Sequence, residues 1–108
     1  MADDIWIHDF NTHETRAITN HKAQDIIPMW NGNNVYFLSD RDWRMNLFKY
    51  NMDTEEVTQL THFENYDIKF PSMGEKFIVF ENGEYIYKFN LQTEEASRVP
   101  ITISNDIT

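Results

Sequence analysis

Apolar and polar residues alternate with a period of two in three segments of the chain, residues 5–12, 47–54 and 86–93. In the second segment, Phe48 and Tyr50 occupy alternate positions and are followed by Met52 two residues later. Such alternation places one set of side chains on a single face of an extended strand, whereas a helix would scatter them around its circumference. The pattern therefore predicts three strands, each with one apolar face.

The same segments begin successive copies of an internal repeat. Leu47 follows Ile5 by 42 positions, and residues of similar type follow each of them. Ile86 follows Leu47 by 39 positions, a shorter step that is explained if the turn at 39–46 is three residues shorter in its next occurrence at 81–85. A period near 42 residues indicates a repeat architecture.

Further strands are predicted between these segments. The runs 35–38 and 77–80 are short, aromatic and β-branched, which is typical of strands buried on both faces. Each follows a polar turn that contains glycine, so each is expected to form a hairpin with the segment before it. Those preceding segments contain Pro28 and Pro71, and a proline lacks the N–H that a central strand needs. They are therefore predicted to be edge strands.

Four short strands in about 42 residues are typical of one blade of a β-propeller. The predicted fold is all-β, a partial β-propeller of about two and a half four-stranded antiparallel blades with WD40-like repeats. Residues 1–20 would form the outer hairpin of one blade, 21–61 and 62–100 two full blades, and 101–108 a closing or linking extended segment. Closed rings have four to eight blades, so we expect the chain either to belong to a longer protein or to self-associate.

Composition narrows the class of function. The chain has 108 residues, of which 41% are hydrophobic, enough to fold, and a net charge of −9 that disfavours nucleic acid and anionic membranes as partners. It has no cysteine, which excludes disulfides and thiolate chemistry. Residues 1–4 are acidic and no apolar run is long, so we expect neither a signal peptide nor a membrane span in this sequence. The compartment stays open.

Metal sites are weakly supported by the sequence. The four histidines lack the spacing that brings ligands together, and the first of them takes the place of an aromatic strand residue in the other repeats. Asp40, Asp42 and Asn46 resemble a calcium loop only faintly, because arginines lie among them, and a polar turn is the favoured interpretation. No metal or cofactor is therefore predicted. The histidines are His8, His13, His21 and His62.

Catalytic residues are not predicted either. None of the serines, at positions 39, 72, 97 and 104, stands in a Gly-x-Ser-x-Gly elbow. The pairs at 55–56 and 94–95 recur at the same turn of successive repeats and are interpreted as a solvated rim, since an acid/base pair needs two different environments. Asp25 and Asp67, each ahead of an edge strand, are expected to accept hydrogen bonds from loop N–H groups.

The ordered combination of these segments resembles the propeller repeats of the tricorn protease family, serine peptidases with two propellers ahead of their catalytic half. The Ser-Asp-Arg-Asp turn at 39–42 and the Gln-Leu-Thr ending at 59–61 carry part of the resemblance. It covers nearly the whole chain and is greatest for the last blades of the six-bladed N-terminal propeller. The remaining segments that carry it are 4–7, 25–30, 35–38, 46–50, 62–63 and 78–83.

One position departs from this family pattern. Repeats of this kind often carry a glycine directly after the alternating segments 5–12, 47–54 and 86–93, where His13, Glu55 and Glu94 stand here. A side chain at positive φ costs about 1 kcal/mol, so these turns are expected to adopt another geometry.

The resemblance implies a non-catalytic portion of a tricorn-like serine peptidase, a scaffold and peptide passage for a catalytic domain outside this chain. Its partners would be neighbouring blades or peptidase domains of the parent chain, and peptides. The alternative is an independent propeller module that forms a homo-oligomer and binds a protein or peptide. On either hypothesis this chain alone is not an enzyme.

Overall fold

The computed structural model describes residues 5–9, 14–17 and 25–102, which form ten β-strands and contain no helix. The all-β prediction is therefore confirmed. The strands are β1 (Trp6–Asp9), β2 (Glu14–Ala17), β3 (Asp25–Asn31), β4 (Asn34–Ser39), β5 (Asn46–Asn51), β6 (Val57–Gln59), β7 (Ile68–Met73), β8 (Phe77–Asn82), β9 (Tyr85–Asn90) and β10 (Glu95–Thr102).

The strands form two sheets of four and one hairpin. The first sheet has the order β3-β4-β5-β6, the second the order β7-β8-β9-β10, and β1 pairs with β2. Every pair is antiparallel and joins strands that are consecutive in the chain. Both sheets are thus simple meanders, as a repeat of four short strands predicts. The last strand of the second sheet continues to Thr102, beyond the expected end at residue 100.

Each proline-containing strand lies at the edge of its sheet, as predicted. Pro28 and Pro71 fall where the register of β3 with β4 and of β7 with β8 is interrupted. The residue before each of these two prolines has a positive φ, 56° at Ile27 and 53° at Phe70. The missing N–H and the distorted residue together form a bulge at the same place in both sheets.

The strand registers correct the alignment of the repeats by one residue. Val35 pairs with Tyr50 in the first sheet, and Ile78 pairs with Phe89 in the second. Val35 therefore corresponds to Ile78, 43 positions later, the same interval that separates the two prolines. By the same register Asp25 corresponds to Ile68 and not to Asp67. The 42-residue period aligns Gly32 with Gly74, but Gly32 has a positive φ and Gly74 does not, so the two glycines occupy different positions in their hairpin turns.

Burial differs between the two equivalent strands. β4 is buried from residue 35 to residue 39, as a strand covered on both faces should be. In β8 burial alternates, and Val79 is 42% exposed. The prediction that residues 77–80 are buried on both faces is therefore wrong, because one face of the second sheet is open to solvent.

The turns after β5 and β9 keep the left-handed residue that glycine usually supplies. Glu55 has a φ of 63° and Glu94 a φ of 61°, so the expectation of another geometry is wrong for both; His13 lies outside the described residues. Asparagine offsets the strain. The side-chain oxygen of Asn51 accepts hydrogen bonds from the N–H groups of Asp53 (2.8 Å) and Thr54 (3.0 Å). Its twin Asn90 does the same for the two residues that follow Leu91.

An apolar layer joins the two sheets. Tyr36, Leu38 and Leu47 of the first sheet are at most 2% exposed and pack against the second sheet. The ring of Tyr36 meets that of Phe89 edge-on, with 6.4 Å between centroids. A second cluster packs on the opposite face of the first sheet. It consists of Ile5, Val35, Phe37, Phe48 and Tyr50.

We predict that Asn51→Ala destabilises the chain by about 1–2 kcal/mol, because two turn N–H groups lose their acceptor. Asn51→Asp keeps an oxygen at the same place and should cost less than half as much. Urea denaturation of the three proteins measures the difference. Equal losses for the two variants would show that the side-chain acceptor does not stabilise the turn.

Burial raises the pKa of the Tyr36 phenol above its ordinary value of 10.0. The unfolded chain therefore ionises this group at lower pH than the folded chain does. Its contribution to stability is complete below about pH 10 and is lost as the pH rises through the folded pKa.

Tyr36→Phe should accordingly flatten the alkaline fall of the unfolding free energy above about pH 10. The original chain, measured at the same pH values, is the reference. The measurement is urea denaturation at a series of pH values. An alkaline fall that Tyr36→Phe leaves as steep as before would contradict the prediction.

Candidate functional site

Several of the polar residues singled out in the sequence meet at one end of the two sheets. We call this region the turn end, and it comprises the β4–β5 turn (40–45), the connection from β6 to β7 (60–67) and the β8–β9 turn (83–84). The connection is bonded to the first sheet, for example from the N–H of Leu60 to the carbonyl of Leu47 (2.8 Å), and the N–H of Ile68, which begins β7, donates to the carbonyl of Met45 in the β4–β5 turn (3.0 Å). The turn end is therefore a continuous surface, held together by backbone hydrogen bonds, that spans both sheets.

A charged pair is buried in the first sheet at this end. The guanidinium of Arg41 donates to the carboxylate of Asp25 at 2.9 Å, and the Asp25 side chain has no exposed surface. Arg41 also donates to the hydroxyl of Ser39 (3.0 Å) and lies 5.6 and 5.1 Å from the ring centroids of Phe37 and Phe48. One face of a cation is thus held by aromatic rings and its edge by a carboxylate.

The second sheet fills the equivalent corner with apolar groups. The ring of Phe63 lies 6.0 Å from that of Phe80 and 5.0 Å from that of Tyr87, the counterparts of Phe37 and Phe48. Ile68 stands where the first sheet has its buried carboxylate, and it is 2% exposed. Sequence reasoning missed this exchange, because the 42-residue period aligns Asp25 with Asp67, whereas the strand registers align it with Ile68. The 43-residue interval between the prolines was the signal that could have found it.

Asn46 holds the connection against the first sheet through three hydrogen bonds. Its side-chain oxygen accepts hydrogen bonds from the Thr61 hydroxyl and the Phe63 N–H, both at 2.8 Å, and its amide donates to the Phe63 carbonyl (3.1 Å). Asp42 accepts a bond from the Gln59 amide (3.1 Å). These bonds make a polar turn, the favoured interpretation of this segment.

The two aspartates ahead of the edge strands have different partners. Asp67 accepts a hydrogen bond from the N–H of Met45 (2.8 Å), as expected of a loop acceptor. Asp25 binds Arg41 with one oxygen, and its other oxygen has no hydrogen-bond partner among the described residues.

The remaining candidates do not converge. Over residues 5–9, 14–17 and 25–102, no three His, Asp or Glu side chains are placed to hold a metal ion. His62 is exposed; His13 and His21, and the side chain of His8, lie outside the part that is described. Ser39 is buried against Arg41, residues 72 and 97 are exposed in strands of the second sheet, and Ser104 is not described. The glutamates at 55, 56 and 94 are exposed outside the strands, and Glu95, also exposed, is the first residue of β10.

Two antiparallel four-stranded meanders, packed face to face through an aromatic layer and related by an internal repeat, define this chain as part of a β-propeller. The family model for the tricorn protease N-terminal beta propeller domain matches residues 1–95. The chain belongs to this family.

Curated relatives include a Tricorn-like protease C-terminal subunit from Sulfurisphaera tokodaii, 32% identical over 79 residues that make up 73% of this chain. The Tricorn protease of Thermoplasma acidophilum is 26% identical over 97 residues, or 90% of this chain. The chain spans only 9% of the length of each of these relatives.

Solved structures agree on the fold. The crystal structure of the tricorn protease superposes with a TM-score of 0.81 at 22% identity, over 95% of this chain and 10% of that one. TolB from Acinetobacter baumannii gives a TM-score of 0.68 at 18% identity, over 86% of this chain and 25% of that one. In the described part of the chain, no helix has the length and apolarity needed to cross a bilayer.

We predict that Arg41→Met destabilises the chain by about 3–5 kcal/mol, because the buried Asp25 carboxylate loses its counter-ion. Adding Asp25→Ile gives the first sheet the residue that the second sheet has at this position. The double variant should recover to within about 1–2 kcal/mol of the original chain.

Arg44→Met is the matched control. Arg44 lies 4.0 Å from Asp67, and both side chains are 43% exposed, so the loss should stay below about 1 kcal/mol. Urea denaturation measures all three variants. If the double variant were no more stable than Arg41→Met, the buried pair would not be the origin of the loss.

Proposed function

We propose that this chain is a non-catalytic part of the N-terminal propeller of a tricorn-like serine peptidase, serving as scaffold and peptide passage for a catalytic domain outside this chain. In this proposal residues 1–20 are the outer hairpin of one blade, 21–61 and 62–100 are two full blades, and 101–108 is a linking segment. The partners are the neighbouring blades and peptidase domains of the parent protein, together with the peptides that it processes.

One observation carries the scaffold role. The first sheet buries Tyr36, Leu38 and Leu47 against the second sheet. In the second sheet, the registers set Val79, Glu81 and Ile86 at the equivalent positions.

We call these three residues, with Lys88, the open face. Val79 is 42% exposed there, whereas the equivalent residues of the first sheet, Tyr36, Leu38 and Leu47, are at most 2% exposed. A face that repeats the geometry of an existing interface and carries apolar residues in water is suited to receive another blade.

An ion pair supports the same view. Lys49 on the covered face of the first sheet pairs with Glu94, which lies on the β9–β10 turn of the second sheet. Lys88 holds the place of Lys49 on the open face. A following blade with an acidic residue on the corresponding turn would complete the same pair.

The peptide-passage role is supported by apolar side chains on the edge strands. Ile27 and Phe70 occupy equivalent bulge positions, and they are 42% and 73% exposed. Trp30 of β3 is also half exposed. Unpaired strand edges with exposed apolar residues can contact an extended peptide through both its backbone and its side chains.

The same substitution at two equivalent positions tests the proposal. In this chain, Leu47→Asp should cost more than about 4 kcal/mol, because it buries a carboxylate, whereas Ile86→Asp should cost less than about 1 kcal/mol. In the longer tricorn-like protein that contains this segment, Ile86→Asp should become as costly as Leu47→Asp. Thermal and urea denaturation measure the losses.

The peptidase activity of that longer protein shows whether the propeller affects long peptides in particular or the catalytic domain as a whole. Ile86→Asp should lower cleavage of long unstructured peptides several-fold and leave cleavage of a fluorogenic tripeptide unchanged, since the tripeptide needs only the catalytic domain. An Ile86→Asp protein as stable and active as the original would refute the proposal. If light scattering showed that this chain forms a closed oligomer and that Ile86→Asp breaks it, the independent self-associating module would be favoured.

A further inference from the structure

A cleft lined by aromatic rings opens at the turn end of the second sheet. Residues 63–66 of the connection form one wall, and the β8–β9 turn and the start of β9 form the other, enclosing about 410 Å³. We call it the tyrosine cleft. The side chains that define it are Phe63, Glu64, Tyr66, Glu84, Tyr85 and Tyr87.

The two walls are held together by direct contacts. The ring of Tyr66 packs so closely on Gly83 that a Cβ atom added there would lie 2.9 Å from the ring. The Asn82 amide donates a hydrogen bond to the Tyr66 carbonyl at 2.7 Å. Phe63 is fixed in turn by Tyr87, with 5.0 Å between ring centroids. The cleft is therefore formed before any ligand arrives, which lowers the cost of binding.

The charges of the cleft select a cation. Glu64 and Glu84 are exposed at its margin, and its lining contains no lysine, arginine or histidine. The basic residues Arg44 and Lys69 line an adjoining cleft that shares Tyr66 and Glu84 with this one. Aromatic faces carry a negative quadrupole and attract cations, so rings and carboxylates here act in the same direction.

Two arginines of the chain already lie over aromatic rings. Arg41 lies over two rings with its edge on a carboxylate. Arg98, which does not line the cleft, lies 4.2 Å from the ring centroid of Tyr85. Tyr66 is 60% exposed and Tyr85 41% exposed, so both have ring surface left for a ligand.

We propose that the tyrosine cleft binds the guanidinium group of an arginine side chain in a peptide. A planar guanidinium can stack on Tyr66 or Tyr85 while its N–H groups reach Glu64 and Glu84. This goes beyond the proposed function, because it assigns a ligand chemistry to a named surface of this chain, whether or not the chain is joined to a peptidase domain.

The test is an NMR titration of this chain with N-acetyl-arginine amide, compared with N-acetyl-citrulline amide, which has nearly the same shape and no charge. Arginine should shift the signals of Tyr66, Gly83, Glu84 and Tyr85 in a saturable way, and citrulline should bind at least about fivefold more weakly. Equal binding of the two probes would overturn the proposal. So would shifts spread evenly over the acidic surface.

Paired charge removals provide the matched control. The double variant Glu64→Gln and Glu84→Gln should weaken arginine binding by at least about threefold. The double variant Glu75→Gln and Glu95→Gln removes two exposed carboxylates at the opposite end of the sheet and should leave binding unchanged. Equal weakening by both would mean that only net charge matters, and the proposal would be wrong.

Discussion

The contact between the two sheets is the constraint on which the rest of the fold depends. A four-stranded meander of this length has two faces and cannot bury either of them by itself. In the first sheet both faces are covered, one by the second sheet and the other by a cluster that includes Ile5. The side chains that meet between the sheets are large and interlock, so register and turn geometry must place each ring within a narrow space.

The turn end shows two solutions to one packing problem. The first sheet sets Arg41 over a pair of rings and neutralises it with Asp25, whereas the second sheet uses Phe63 and Ile68. Both arrangements fill the corner, but they place different requirements on the surrounding residues. The charged solution requires an acceptor for every buried donor and fixes a single geometry, while the apolar one depends only on shape. The apolar solution also draws the 60–67 connection onto the sheet, and that connection forms a wall of the tyrosine cleft.

The sequence allowed the strand order, the hairpins and the edge positions of both prolines to be predicted, because alternation and a missing N–H act locally. It did not yield which residues of β4 and β8 are equivalent, since the glycines of the two preceding turns occupy different positions. Nor did it yield the positive φ of Glu55 and Glu94, which depends on hydrogen bonds to Asn51 and Asn90. The cleft could not be predicted because its walls come from segments that only tertiary packing brings together.

The open face explains how one surface can be stable in water and still suit a partner. Leu38, on the covered face, corresponds to Glu81 on the open one, so one fully apolar position has become charged. Lys88 lies 4.9 Å from the ring centroid of Phe77 and covers that ring, whereas its counterpart Lys49 reaches across to Glu94. A long aliphatic chain with a terminal charge can do either, because the stem shields apolar surface while the ammonium group stays hydrated or finds a carboxylate. Under the proposed scaffold role, Lys88 would exchange its contact with Phe77 for a carboxylate of the neighbouring blade, as Lys49 does with Glu94.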